Sequence, residues 1–137
     1  MRIEDLLIKH EGLRLKPYEC TAGDITIGVG RNLESMGLSE DEVYYLLAND
    51  IRRCEQELTK AFDWFTHLDS VRQDAMMDMC FNLGMSRLRG FRDALREMSL
   101  SNYEAASVEF LDSNWAEQVG QRAITITNMI RTGEYNA

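Results

Sequence analysis

Glu11, Cys20 and Thr26 are the residues of this chain whose types and spacing could do chemistry, with eight residues between the first two and five between the last two. A carboxyl can protonate a leaving oxygen, while a thiol and a hydroxyl together can hold or activate a water. That division of labour is general acid–base chemistry, and glycoside hydrolysis needs it in this form: an acid on one side and a second group on the far face. A thiol of ordinary pKa, about 8.5, is mostly neutral at pH 7, which makes Cys20 a weaker base than a carboxylate. Glu19 and Asp24 are the nearby carboxylates, but Glu19 points to the opposite face of a strand from Cys20 and Asp24 closes a turn, so both read as solvent-facing. A capped helix beside a plain hairpin accounts for the same residues, and the residues alone leave both readings open.

Other chemistries find little support. There is no His-Glu-x-x-His and no cysteine pair at zinc spacing, and the two histidines, His10 and His67, stand far apart; neither a catalytic metal nor a cofactor is expected. Gly28-Val-Gly30 lacks the third glycine and the following helix of a dinucleotide loop, and no P-loop or Gly-x-Ser-x-Gly is present. Gly28 and Gly30 are the positions where backbone could run close to another group. Met76, Met77 and Met79 read as core filling rather than a soft-metal site.

The elements that must position these residues follow from periodicity. Ile3, Leu6, Leu7 and His10 fall at helical spacing and Gly12 stops the run, so Glu11 sits at a helix C-terminus. There the macrodipole, and burial if it occurs, favour a protonated carboxyl. From Leu13 to Leu33 the period shortens to two, with Thr21-Ala-Gly23 as the turn of a hairpin. Ser39-Glu-Asp-Glu42 reads as a capping box opening one long helix with an apolar stripe at Val43, Leu46, Leu47, Ile51, Cys54 and Leu58. Phe62, Trp64 and Phe65 form an aromatic cluster after it. Asp69 caps a helix that ends at Gly84, and a short helix carries Phe91, Ala94, Leu95 and Met98. Ser101-Asn-Tyr-Glu104 reads as another capping box, opening a helix with Ala105, Val108 and Leu111 inward. The last helix carries Ala123, Ile124, Ile126, Thr127 and Ile130, and Gly133 stops it.

Length and composition bound the rest. A chain of 137 residues, 45% hydrophobic and 28% charged, is of single-domain size with material for a packed core. Its net charge of -8, spread over both halves, disfavours nucleic acid and anionic lipid. Arg87, Arg89, Arg92 and Arg96 are the one basic cluster and read as a solvated helical face. No run approaches the roughly 18 apolar residues of a membrane span, and no signal-peptide core opens the chain, which predicts synthesis as a soluble protein without membrane insertion. Cys20, Cys54 and Cys80 read as free thiols.

Glu11-Gly-Leu-Arg-Leu-Lys16, Tyr18, Thr21, Gly23, Thr26-Ile-Gly28 and Gly30, followed by Leu68-Asp-x-Val-Arg72, Gly90-Phe91, Glu104-Ala-Ala106, Trp115, Gln121-Arg-Ala123 and Ile130-Arg-Thr-Gly133, resemble the T-even phage lysozymes of glycoside hydrolase family 24 over nearly the whole chain. The resemblance implies an α+β, lysozyme-like fold: a small three-stranded-sheet lobe over about 12–60, joined by a long helix to a helical lobe over about 61–137 that also takes in the N-terminal helix 1–11. It implies hydrolysis of the β-1,4 bond between N-acetylmuramic acid and N-acetylglucosamine in peptidoglycan, with Glu11 as general acid and the attacking water held by Cys20 and Thr26. Asn32 and Phe81 would bind substrate, and Arg122 would pair with the catalytic Glu. The protein would be a monomeric endolysin made in the host cytoplasm, acting on the wall in the periplasm after a separate holin opens the membrane. This chain departs from the family in Cys20, where the best-known members have Asp, in Arg31, where they have His, in Ala94 and the region of Glu109, where they place polar sugar contacts, and in a shortened segment from Gly30 to Leu38. Cys20 keeps a second reading in play, a weak or inactive peptidoglycan-binding or virion-associated module of the same fold.

Overall fold

The computed structural model describes residues 2–135, and the chain divides after Leu46 into two compact units. In the first, α1 (Ile3–Glu11) ends where Gly12 takes a φ of 79° and gives its N–H to the Ile8 carbonyl at 2.8 Å. Three strands follow, β1 (Arg14–Glu19), β2 (Ile25–Gly28) and β3 (Arg31–Asn32), as an antiparallel sheet in the order β1-β2-β3. The sheet places Thr26 at the centre, opposite Tyr18 on β1 and Asn32 on β3. Thr26 is the one fully buried residue of this unit among those described. So short a stretch has too little apolar surface for a core, and its turns and hydrogen bonds carry the structure instead.

The long helix α2 runs from Glu40 to Ala61. Its capping box forms in both directions: Ser39 Oγ accepts from the Glu42 N–H at 3.2 Å and Glu42 Oε1 accepts from the Ser39 N–H at 2.8 Å. The Ser39 backbone and hydroxyl, and then the Arg31 guanidinium, hold the Glu42 carboxyl below the usual carboxylate range. Arg31 reaches Glu42 at 2.8 Å and the Gly37 carbonyl at 3.1 Å, which ties the shortened segment closed. The apolar stripe is buried only in its C-terminal half, at Cys54 and Leu58; Val43, Leu46, Leu47 and Ile51 are exposed.

The second unit adds α3 (Ser70–Leu83), α4 (Met85–Leu88), α5 (Arg92–Ser99), α6 (Tyr103–Leu111), α7 (Asn114–Val119) and α8 (Gln121–Thr132) around one core. Leu58, Phe65, Met76, Met79, Leu88 and Phe110 are fully enclosed there, so Met76 and Met79 fill core as the sequence predicts, while Met77 is partly buried against it. Phe62 stacks on Trp64 at 4.9 Å beside this core. Two helices escape the sequence reading, α4 and α7, because at four and six residues neither shows a period. Asp69 caps α3 by accepting the Arg72 N–H at 3.1 Å. Arg72 then spans to the far end of the chain: Nε donates to the Ile130 carbonyl at 2.6 Å, a second nitrogen donates to that of Arg131, and the guanidinium lies 3.8 Å over the Tyr103 ring. The exposed carbonyls at the end of α8 thus find a cation.

The second capping box does not form. Ser101 sits at a φ of 61°, and the N–H groups of Ser101 and Asn102 return to the carbonyls of Met98 and Glu97 at 3.1 and 2.9 Å. That is the Schellman closure of α5, with Ser in the left-handed position normally held by glycine. Asn102 becomes the N-cap of α6 but spends its amide on Glu97 Oε2 at 3.0 Å. The helix rotates accordingly, burying Ala106, Ser107 and Phe110 while Ala105, Val108 and Leu111 face outward. A non-glycine residue in the left-handed region costs about 1–2 kcal/mol. Ser101→Gly is therefore expected to stabilise the protein by about 1 kcal/mol, read as a higher urea midpoint at unchanged m-value.

Candidate active site

The candidate residues of the first unit start from the end of α1. Because Gly12 stops the helix, Glu11 is its last residue, and its exposed carboxyl lies against the backbone of Gly30 in the turn between β2 and β3. A Cβ added at Gly30 would stand 2.7 Å from Glu11 Oε2 and 3.0 Å from its carboxyl carbon. Gly30 also has a φ of 66°, so glycine is required there twice over. Gly28 meets nothing within 4 Å, and its need for glycine is its φ of 69° alone. Of the two glycines read as points of close approach, Gly30 is the one that makes it, and the group it approaches is the candidate acid.

Cys20 and Thr26 come together at the other end of the sheet turn. The Cys20 N–H donates to the Asp24 carbonyl at 2.9 Å, the Gly23 N–H donates to the Cys20 carbonyl at 2.9 Å, and Thr26 Oγ1 donates to the same Asp24 carbonyl at 3.1 Å. The half-buried Cys20 thiol is held below the usual cysteine range by backbone N–H groups of Ala22 and Asp24, with desolvation and the Asp24 charge working against them. A lowered thiol pKa raises the thiolate fraction above that of an ordinary cysteine. Cys54 and Cys80 are buried, and burial beside Cys54 pushes the Cys80 thiol up to about 12.

Asn32 directs both ends of its amide inward: Nδ2 donates to Asp24 Oδ2 at 2.8 Å, and Oδ1 accepts the N–H groups of Glu34 and Ser35 at 3.0 Å. Asp24 is half-buried and hydrogen-bonded rather than solvent-facing, which corrects the reading of it as a spectator. A signal for this was present, since Asp24 and Thr26 stand two apart and so share a side of the strand. Glu19 is exposed, as expected.

In the second unit Phe81 and Arg122 line one pocket of about 480 Å³ with Leu47, Ile51, Met77 and Asp78. Phe81 is half exposed. Arg122 Nε donates to Asp78 Oδ1 at 2.8 Å, so the partner it holds within its unit is an aspartate one helix away, which the sequence reading did not anticipate.

An acid at a helix end, a small antiparallel sheet carrying a thiol and a buried hydroxyl, and a long helix leading to a helical unit define an α+β glycoside hydrolase of lysozyme-like fold. Comparison with known families sharpens this: the family model described as phage lysozyme matches residues 8–131, and the chain belongs to that family. It is similar to "Probable T4-type lysozyme 1" of Dictyostelium discoideum, 26% identical with 98% of this chain and 96% of the relative covered. It is also similar to "Endolysin" of Acyrthosiphon pisum secondary endosymbiont phage 1, at 29% with 85% and 80% covered, and to "Endolysin" of Salmonella phage P22, at 31% with 77% and 75% covered. No helix among the described residues is long and apolar enough to cross a membrane.

Because any β-carbon at Gly30 collides with the Glu11 carboxyl, Gly30→Ala should lower hydrolysis roughly a hundredfold while the helical unit stays folded. Turbidity loss of outer-membrane-stripped cells and far-UV circular dichroism on the same preparation check both halves of that expectation.

Proposed function

We propose that this protein is a phage endolysin that hydrolyses the β-1,4 bond between N-acetylmuramic acid and N-acetylglucosamine in bacterial peptidoglycan during host lysis. The observation that carries the reading is Glu11, the last residue of α1, whose carboxyl lies against Gly30 where an added Cβ would meet it at 2.7 Å. The family match and the two relatives named endolysin support it. In this reading the protein works as a monomer on glycan strands and reaches the wall once a separate holin has opened the membrane.

Glu11 donates its proton to the glycosidic oxygen as the bond from that oxygen to C1 breaks. A water held between Cys20 Sγ and Thr26 Oγ1 adds to C1 from the opposite face and passes its proton to the thiolate. The product anomer is then inverted, and solvent returns Glu11 and Cys20 to their starting states. Support for the thiolate in this role is the pair of backbone N–H donors, of Ala22 and Asp24, at Cys20. Asn32 and Phe81 serve as substrate contacts in this reading.

Release of reducing ends from purified peptidoglycan tests this in three proteins. Wild type should be active, Glu11→Gln should lose about 10²–10⁴-fold as expected for removal of a general acid, and Cys20→Ala should fall to an intermediate level. A wild type that releases no reducing sugar would overturn the enzyme reading, and a thioglycoside trapped on Cys20 would replace the inverting route with a covalent one.

A further inference from the structure

We propose that Asp24 is a positioning residue for Cys20 and Thr26, and that Asn32 is the strut that holds it. The inference rests on the reading of Cys20 and Thr26 as the pair that holds the attacking water. Its starting point is that one carbonyl serves both groups: the Asp24 main-chain oxygen accepts the Cys20 N–H at 2.9 Å and the Thr26 hydroxyl at 3.1 Å. Wherever that oxygen points, the thiol-bearing residue and the hydroxyl follow. The hydroxyl has a single hydrogen, so while the carbonyl takes it the lone pairs of Thr26 Oγ1 are left to accept from a water.

What aims the carbonyl is the side chain of the same residue. Asp24 Oδ2 accepts from Asn32 Nδ2 at 2.8 Å across the sheet, and Asn32 is pinned in turn by the N–H groups of Glu34 and Ser35 on its Oδ1. The chain of contacts runs from the segment after β3, through the Asn32 amide, to the Asp24 carboxylate and its carbonyl, and ends on Cys20 and Thr26. No Lys or Arg forms an ion pair with Asp24 among the described residues. Its other neighbour is a second carboxyl: hydrogen bonding to Asp24, then desolvation and the Asp24 charge, pushes the Glu34 carboxyl up. Hydrogen-bonding shape, rather than charge neutralisation, is therefore what Asp24 contributes, and an amide should do its work.

That gives the test. Asp24→Ala removes the acceptor for Asn32, and Asp24→Asn keeps an oxygen in the same place; neither carries the charge, so the contrast between them isolates geometry. On peptidoglycan, Asp24→Ala should lower kcat roughly tenfold to a hundredfold with KM within about twofold of wild type, and Asp24→Asn should recover most of the loss. Asn32→Asp, which sets two carboxylates face to face, should behave like Asp24→Ala, and the double exchange Asp24→Asn with Asn32→Asp should recover activity. A second readout does not depend on turnover. Cys20 is the half-buried thiol beside two buried ones, so iodoacetamide on the native protein reports its exposure and ionisation. The alkylation rate of Asp24→Ala should differ from that of Asp24→Asn by threefold or more. Equal kcat and equal alkylation rates in these two variants would overturn the proposal. If wild type itself does not hydrolyse the wall, the functional reading falls and the alkylation contrast still decides whether Asp24 positions the thiol.

Discussion

A carboxylate resting on a backbone that has no side chain is the contact on which the candidate chemistry depends. Glu11 has its place because α1 stops at Gly12, and it has its orientation because Gly30 leaves room for it. Both requirements are backbone requirements. They fix the acid without a buried pocket, in a unit where Thr26 is the one fully buried residue among those described. A small sheet with almost no core can hold a functional group this way because turns and close approaches, unlike hydrophobic packing, need few residues.

The same economy governs the thiol and the hydroxyl. The N–H groups of the turn lower the pKa of the Cys20 thiol. The turn that does this is held by Asp24, whose carbonyl also receives Thr26. The helical unit is built on different terms, with an apolar core and long-range polar ties such as Arg72, which reaches from α3 to the end of α8. Stability sits in the second unit and precise placement in the first.

Much of this could be read from the residues because the signals are local. Ser39 and Glu42 form the capping box that their spacing announces, Gly12 ends α1, and alternation from Leu13 onward marks the strands. The same spacing at Ser101 and Glu104 misled, because a serine just past α5 was needed for the left-handed position that closes that helix. A motif four residues long carries no information about the helix before it. Asp24 and Arg72 were opaque for another reason: their partners lie on other elements, Asn32 on β3 and the carbonyls of Ile130 and Arg131 at the end of α8. Asp78 belongs with them, since its partner Arg122 lies 44 residues further along the chain, on α8.

The most direct test of the account is the chemical identity of the ends the protein creates. Purified peptidoglycan digested with wild type and reduced with borohydride should yield muramicitol as the new terminal residue, one for each bond cut, and the Glu11→Gln protein should yield almost none. New ends that appear as glucosaminitol or as anhydromuramic acid, or free amino groups without new reducing ends, would contradict it.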